Sequence, residues 1–413
     1  MPELHVVQPR YFERFQCLGS DCEDTCCNGW GVIVDHETYE KYQDPQAGRV
    51  AAGALTELVE INPASISPRD HAKMRLVETH CCALSDGLCS IQQTLGEPLI
   101  SDMCSSFPRV LNATGGGVER SLHLSCPEAA RLALSGWDAM ELSERIELEL
   151  PGRPGSYSLV EDLPDQHAVE IRQLMIHSIR DRSRPLWQRI AFLGLTIDQL
   201  ATEAARPSIG IVQDHLARLK SGSLDEILES HAAAPAVQFE IVVELIVARF
   251  AVEYTSPRFL ECYGEFMRGL GWTGQSTMEE LGERYQNALR DHFLPFVQRH
   301  EYFFENYLVN YMFRTLFPYG RKQRDLTLTL DSDGEAIKKA YLLFALHFAI
   351  IRTVFIGMAA LHRDNLNIDH ALKLVQSCSK AFQHSNSVSA LMLQFLTQHA
   401  DHPMRDVALL VMD

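Results

Sequence analysis

Residues 341 to 361 read YLLFALHFAIIRTVFIGMAAL, from Tyr341 to Leu361. These 21 residues are long enough to span a bilayer. They also carry His347 and Arg352, and an arginine at mid-membrane depth costs at least ~3 kcal/mol. A helix that is apolar almost all round is equally what the centre of a large helical bundle requires. We therefore read the stretch as a buried central helix, not a transmembrane span, with Arg352 either paired or lining a pocket. Outward from it, helical periodicity recurs over 165–182, 185–203, 235–254, 256–270, 277–299, 301–317, 334–362 and 368–399. Ile171, Leu174, Met175 and Ile179, for example, share one face. No strand–helix alternation appears, so a parallel sheet is not expected.

The N-terminal third reads differently. Short apolar runs such as Gly31–Val34 and Ser121–Leu124 are strand-sized, and turn-rich stretches separate them. Asn112 to Gly117 reads as a hairpin turn: no strong strand precedes its glycines and no Gly-Lys-Ser/Thr follows, which argues against a phosphate loop. Pro151-Gly152-Arg153-Pro154-Gly155 is the clearest breaker in the chain. The expected architecture is mainly α: an irregular cysteine-rich domain with short strands over 1–150, then an all-helical domain over 156–413. A length of 413 residues suits two folding units.

Thirty-seven basic against 54 acidic side chains leave a formal charge of −17, which argues against nucleic acid as a partner. Nine of the eleven cysteines lie between Cys17 and Cys126; only Cys262 and Cys378 follow. The first residues lack the basic start and apolar run of a secretory signal. Clustered thiols with no export signal point to metal or redox chemistry in a reducing compartment, ahead of disulfides or idle buried thiols. The pattern is Cys17-x4-Cys22-x3-Cys26-Cys27 with Asn28-Gly29-Trp30, then Cys81-Cys82, Cys89, Cys104-Ser-Ser-Phe-Pro-Arg109 and Cys126-Pro127. Thiolates select zinc, cuprous copper or iron–sulfur clusters. Pro127 suits the first position of a helix, which would place the Cys126 thiol at the positive end of its dipole.

This constellation resembles the flagellin lysine N-methylases, within the broader class of CxxCxxCC-type zinc- or iron-chelating proteins. Leu95-Gly96, Glu305-Asn306-Tyr307 to Phe317-Pro318, and Gln383-His384-Ser385-Asn386 extend the resemblance along the chain. It implies a cytoplasmic bacterial enzyme that transfers methyl from S-adenosylmethionine to flagellin lysines and needs an iron–sulfur cluster, of 4Fe–4S type. Position by position it carries Cys17, Cys22, Cys26, Cys27, Cys81, Cys89, Cys104 and Cys126 as metal ligands. Cys82 stands where the family pattern has proline, and the Cys81–Cys89 spacing is one residue short, so Cys81 and Cys82 compete for one role. Eight thiols exceed the four that one cubane needs, so two centres, or one centre with spare thiols, are open. Cys26 and Cys27 are adjacent, which makes a shared iron awkward on a regular helix or strand. Tetrahedral zinc remains the alternative metal.

Methylating lysine requires the neutral amine, yet a free lysine has a pKa near ~10.4. No Gly-x-Gly-x-x-Gly follows a strand, and the C-x3-C-x2-C spacing of radical S-adenosylmethionine enzymes is incomplete after Cys22 and Cys26. Candidate residues for the chemistry therefore come from polar groups that interrupt apolar helices: Tyr307 and His384 as catalytic groups, and Asn306, Asn310 and Arg352 as cofactor contacts. Buried hydrogen-bond anchors, or for His384 a helix surface or cap, are the plainer reading of the same residues. His80 and His123, next to cysteines, are candidate ligands or supports for them. A non-catalytic, metal-stabilised helical scaffold is the alternative function.

Overall fold

The computed structural model describes residues 3–44, 48–63, 65, 67–114, 117–147, 158–159, 167–202, 209–223, 225, 235–252, 255–320, 333–400 and 402–413. The Pro151–Gly155 breaker lies outside these residues, as do the turn residues 115 and 116. The strands on either side of that turn do form the expected hairpin: β2 (Arg109–Thr114) pairs antiparallel with β3 (Gly117–Leu122). Around it the chain builds a five-stranded mixed sheet. β1 (Leu4–Pro9) lies parallel to β3, β4 (Leu142–Glu147) runs antiparallel to β1, and β5 (Ser158–Leu159) lies parallel to β2, in the order β4-β1-β3-β2-β5. At Gly117 a Cβ would sit 2.3 Å from the His5 carbonyl oxygen, so glycine alone lets β1 and β3 meet there.

Between β1 and β2 lies the cysteine-rich insertion, built from strands of two or three residues and short helices. Its own small core gathers Val32, Val34, Tyr42, Leu55, Leu58, Ile91 and Ile100. After the sheet hairpin comes α1 (Pro127–Leu134), with Cys126 at its N-cap.

The remainder is helical: α2 (Ala168–Ile179), α3 (Leu186–Thr202), α4 (Ile209–Ser221), α5 (Pro235–Phe250), α6 (Pro257–Gly269), α7 (Met278–Ala288), α8 (Leu294–Thr315), α9 (Asp333–His362), α10 (Ile368–Phe382), α11 (Asn386–His399) and α12 (Pro403–Leu409). α9 is the central helix. It is long and apolar enough to cross a membrane, but 89% of its most apolar window is buried inside the fold. A Cβ on Gly269 would come within 1.9 Å of the Gly357 carbonyl oxygen, which is why α6 can cross α9 so closely.

Three features differ from the sequence reading. α4 falls in a stretch to which no helix had been assigned. The expected 277–299 helix is interrupted by a π-helical turn at Leu289–Phe293, whereas its expected boundary with the 301–317 helix coincides with the non-helical His300 (φ −132°) inside α8. The expected 368–399 helix breaks at Gln383–Ser385, where Ser385 caps α11 by accepting from the Val388 N–H. That break shapes the site.

One core runs from the sheet into the bundle: Tyr11, Leu122, Leu124 and α1 pack with α2 through α12. Polar anchors fix the junction. Asn306 donates to the Ala133 and Gly136 carbonyls at 3.1 and 2.7 Å. Asn310 donates to the Leu122 carbonyl at 3.3 Å and accepts from the Tyr11 hydroxyl. Arg172 forks onto Glu119 at 2.6 and 2.8 Å. A buried, bonded amide fixes register as well as adding roughly 1 kcal/mol.

Candidate functional site

A cleft of about 320 Å³ opens where the cysteine-rich insertion meets the sheet and the α10–α11 break. Five thiols line it, those of Cys26, Cys27, Cys81, Cys89 and Cys104, together with the aromatic walls Trp30, Tyr42 and Phe107 and the imidazoles of His123 and His384. Short local elements present the thiols, and Cys81 ends the His80–Cys81 strand. Cys89 is the N-cap of the Ser90–Leu95 helix, and Cys104 lies in Asp102–Ser106, capped by Ser101. Cys26 and Cys27 occupy a turn pinned by the Cys27 N–H to Thr25 Oγ1 at 3.2 Å. The Cys81 N–H reaches the Cys27 carbonyl at 2.7 Å, stitching the two cysteine motifs together.

Because Cys26 and Cys27 lie in a turn, both face the same cleft, and regular helix or strand geometry does not separate them. The Cys81 and Cys82 thiols hydrogen-bond to each other but differ in placement. Cys81 lines the cleft, whereas the Cys82 thiol contacts the Leu58 carbonyl at 3.5 Å. Cys17, Cys22 and Cys126 form a second neighbourhood outside the cleft lining. Burial pushes the Cys126 thiol up to about 11, with Cys22 and Cys17 adding to the shift. Cys26 feels both Cys17 and Cys104 and stands between the two groups.

The electrostatics are those of thiols that cannot all ionise together. The Cys26 thiol is pushed up, first by its hydrogen bond to Cys27 and then by burial. The same bond draws Cys27 down to about 7. Burial pushes Cys104 up to about 12, with Cys27 and Cys89 contributing. Such a set calls for a cation, which would let several thiolates form at once. The donors are soft and suit iron–sulfur or zinc. Among the described residues no three His, Cys, Asp or Glu side chains sit close enough to grip a single metal ion as they stand. The five thiols instead ring a roomier space.

His384, delivered by the α10–α11 break, lines the cleft and is solvent-exposed. Its ring lies 4.0 Å from Trp30 and 4.0 Å from His123, and its Nε2 is 2.7 Å from Ser125 Oγ. Desolvation, with Arg314 and Lys380 nearby, shifts its pKa below the usual histidine value. Its accessible face in the cleft tempers the size of that shift but not its direction.

A family model for the FliB lysine N-methylase C-terminal domain matches residues 172–410. The chain belongs to this family. A lysine-N-methylase of Salmonella typhimurium is 36% identical over 150 residues, covering 36% of this chain and 37% of the relative. A lysine-N-methylase of Salmonella choleraesuis is 35% identical over the same length. The flagellar biosynthetic protein FliU of Salmonella muenchen is 34% identical over 146 residues, covering 35% of this chain and 86% of FliU. The similarity thus spans little more than a third of the two lysine-N-methylases. No solved structure matches.

Of the residues singled out in the helical part of this FliB-family chain, only His384 reaches the cleft. Tyr307 is fully buried, and its hydroxyl accepts from Gln383 Nε2 at 3.0 Å. Gln383 in turn accepts from Arg314 at 2.8 Å. Asn306 and Asn310 are the sheet anchors described above. Arg352 lies among Gln238 Oε1, Tyr285 and the Met412 carbonyl, at 3.2, 3.2 and 2.6 Å, and pairs with Asp413 at 3.2 Å. None of the four lines the cleft. His80 sits on the Leu76–Val77 hairpin and pairs with Val77. Trp30 and Phe107 stand within the cysteine motifs but had no role assigned from sequence, and neither had Ser125, whose only signal is its place next to Cys126.

Proposed function

We propose that this chain is a protein-lysine N-methyltransferase that acts in the cytoplasm on flagellin, takes its methyl group from S-adenosylmethionine, and holds an iron–sulfur cluster on its cysteines. The observation that carries this reading is one cleft shared by five thiols, an aromatic wall and an imidazole. The names of the relatives, lysine-N-methylase and flagellar biosynthetic protein, support the substrate.

A lysine side chain fits such a cleft chemically. Trp30 and Phe107, 5.2 Å apart edge to face, suit its apolar stem and disfavour its ammonium form by excluding water. His384 accepts the proton that the ammonium must shed before the nitrogen can act as a nucleophile. S-adenosylmethionine, when bound, supplies an electrophilic methyl on a positively charged sulfur. The thiols of Cys26, Cys27, Cys81, Cys89 and Cys104 are the ligand candidates facing the cleft, with Cys17, Cys22 and Cys126 as a separate group. A cluster, when bound, supplies the positive charge that offsets their crowded thiolates and ties the cysteine loops together. The spread of thiols around a roomy cleft supports a cluster over a single tetrahedral zinc ion.

The test is anaerobic purification with iron, sulfide and zinc counted per chain, followed by labelled S-adenosylmethionine and flagellin. Iron and sulfide in matching amounts, with label in flagellin lysines, are the expected outcomes. Stoichiometric zinc with no transfer would replace this reading with the scaffold.

A further inference from the structure

Three side chains stand in line at the cleft wall. His384 Nε2 lies 2.7 Å from Ser125 Oγ, and Ser125 Oγ lies 2.9 Å from His123 Nδ1. The Ser125 backbone N–H also points at His123 Nδ1, at 3.2 Å. The hydrogen positions follow from the donor pattern. A backbone N–H can only donate, so His123 Nδ1 must be an acceptor and carries no proton. Were the serine hydroxyl turned toward His384, its oxygen lone pair would face the nitrogen lone pair of His123 at 2.9 Å. The arrangement without a lone-pair clash sends the serine proton to His123 Nδ1, whose one lone pair it shares with the Ser125 backbone N–H, and the His384 Nε2 proton to Ser125 Oγ. His384 is then the Nε2–H tautomer, and its one lone pair is on Nδ1.

The surroundings make this line rigid. Ser125 and His123 are buried. The His123 N–H donates to the Pro108 carbonyl at 2.8 Å, and the Ser125 carbonyl accepts from Gln376 Nε2 at 2.8 Å. The His384 ring is wedged between Trp30 and His123.

We propose that Ser125 and His123 are positioning residues that lock His384 as its Nε2–H tautomer, so that Nδ1 takes the proton from the substrate ammonium, an inference that rests on the lysine-methylating reading above. In that step one ammonium N–H bond breaks and its electron pair stays on the lysine nitrogen. The proton bonds to the Nδ1 lone pair, and His384 becomes an imidazolium that still donates from Nε2 to Ser125. No oxidant or reductant is needed. Neither positioning residue gains or loses a proton.

The test uses the full-length protein as purified, with nitrogen-15 in its histidines, and correlates ring protons with ring nitrogens. His384→Gln identifies the His384 signals. Wild type is expected to show a fixed Nε2–H tautomer at His384. Ser125→Ala should give a mixture of tautomers, and Ser125→Thr, which keeps the hydroxyl, should preserve the wild-type pattern. His123→Phe keeps the ring contact, removes the acceptor, and should also release the tautomer, so the test stands if one variant folds poorly. In methylation assays Ser125→Ala should lower kcat by about tenfold, the scale of one lost hydrogen bond, leave KM for flagellin unchanged, and be rescued by Ser125→Thr. A wild-type His384 protonated at Nδ1, or exchanging freely between tautomers, overturns the proposal whatever the activity. A fixed Nε2–H tautomer in a protein that transfers no methyl upholds the hydrogen-bond assignment but removes the catalytic role and the lysine-methylating reading together.

Discussion

Lys380 Nζ lies 2.7 Å from Asp24 Oδ1 and 3.1 Å from the Thr25 carbonyl, with both charged side chains almost wholly out of water. This pair ties the last turn of α10, four residues before His384, to the loop carrying Cys22, Cys26 and Cys27. Gln376, one turn earlier, donates to Asp24 Oδ2 and to the Ser125 carbonyl, both at 2.8 Å. Lys380 also sits 5.8 Å from the centre of the Trp30 ring. The cysteine loop, the aromatic wall and His384 are therefore one mechanical unit.

Removing one partner of that pair leaves a buried charge uncompensated. Lys380→Met should destabilise the protein by about 3–5 kcal/mol, while Lys380→Met with Asp24→Asn should lose markedly less. Urea unfolding of the two variants measures this. A single variant as stable as wild type would show that water or another cation reaches Asp24.

The cysteines divide by location. Cys89→Ser and Cys104→Ser, in the cleft, are expected to lower bound iron sharply and bleach the visible absorption of anaerobically purified protein. Cys262 and Cys378 are buried in the helical core, where burial pushes both thiols up. Cys378→Ala should leave the metal content unchanged and cost only about 1 kcal/mol of stability. Metal counting across the three variants checks the division, and loss of iron in the Cys378 variant would contradict it.

Arg352 acts as a clamp, with four hydrogen-bond contacts to Gln238, Tyr285, Met412 and Asp413. Arg352→Leu should therefore lower the melting temperature strongly, by the equivalent of about 2–4 kcal/mol, because it strands several buried acceptors. Iron content measured below that temperature should be unaffected. An activity loss with an unchanged melting temperature would instead make Arg352 a ligand contact.

Most of the bundle was legible because an apolar stripe at helical spacing is a local signal, and α9 is the clearest case. The sheet was not, because β1 pairs with β4 across more than 130 residues of chain, Leu4 lying opposite Glu147. The cysteine motifs pointed to the region that lines the cleft, since donor chemistry is written in residue type. The polar residues of α8 were readable as needing partners but not as to which. The carbonyls that Asn306 and Asn310 bond belong to Ala133, Gly136 and Leu122, far away in sequence. His384 was picked for its polarity, yet its access to the cleft depends on a helix break that periodicity runs straight through. The Ser385 cap was the local signal of that break.

His347 lies in the middle of α9, 3% exposed, and burial pushes its imidazole down to about 4. In the unfolded chain the same ring titrates near ~6.5. The folded state thus binds the proton less well, so the stability linked to neutral His347 is complete above that value. It is lost as pH falls from about 6.5 toward 4, at up to about 1.4 kcal/mol per pH unit. His347→Gln cannot titrate, so its stability should fall less steeply than wild type between pH 7 and 5. Unfolding curves at pH 7, 6 and 5 for the two proteins measure the difference. Parallel pH profiles would mean that water reaches the ring and that His347 titrates normally in the folded protein.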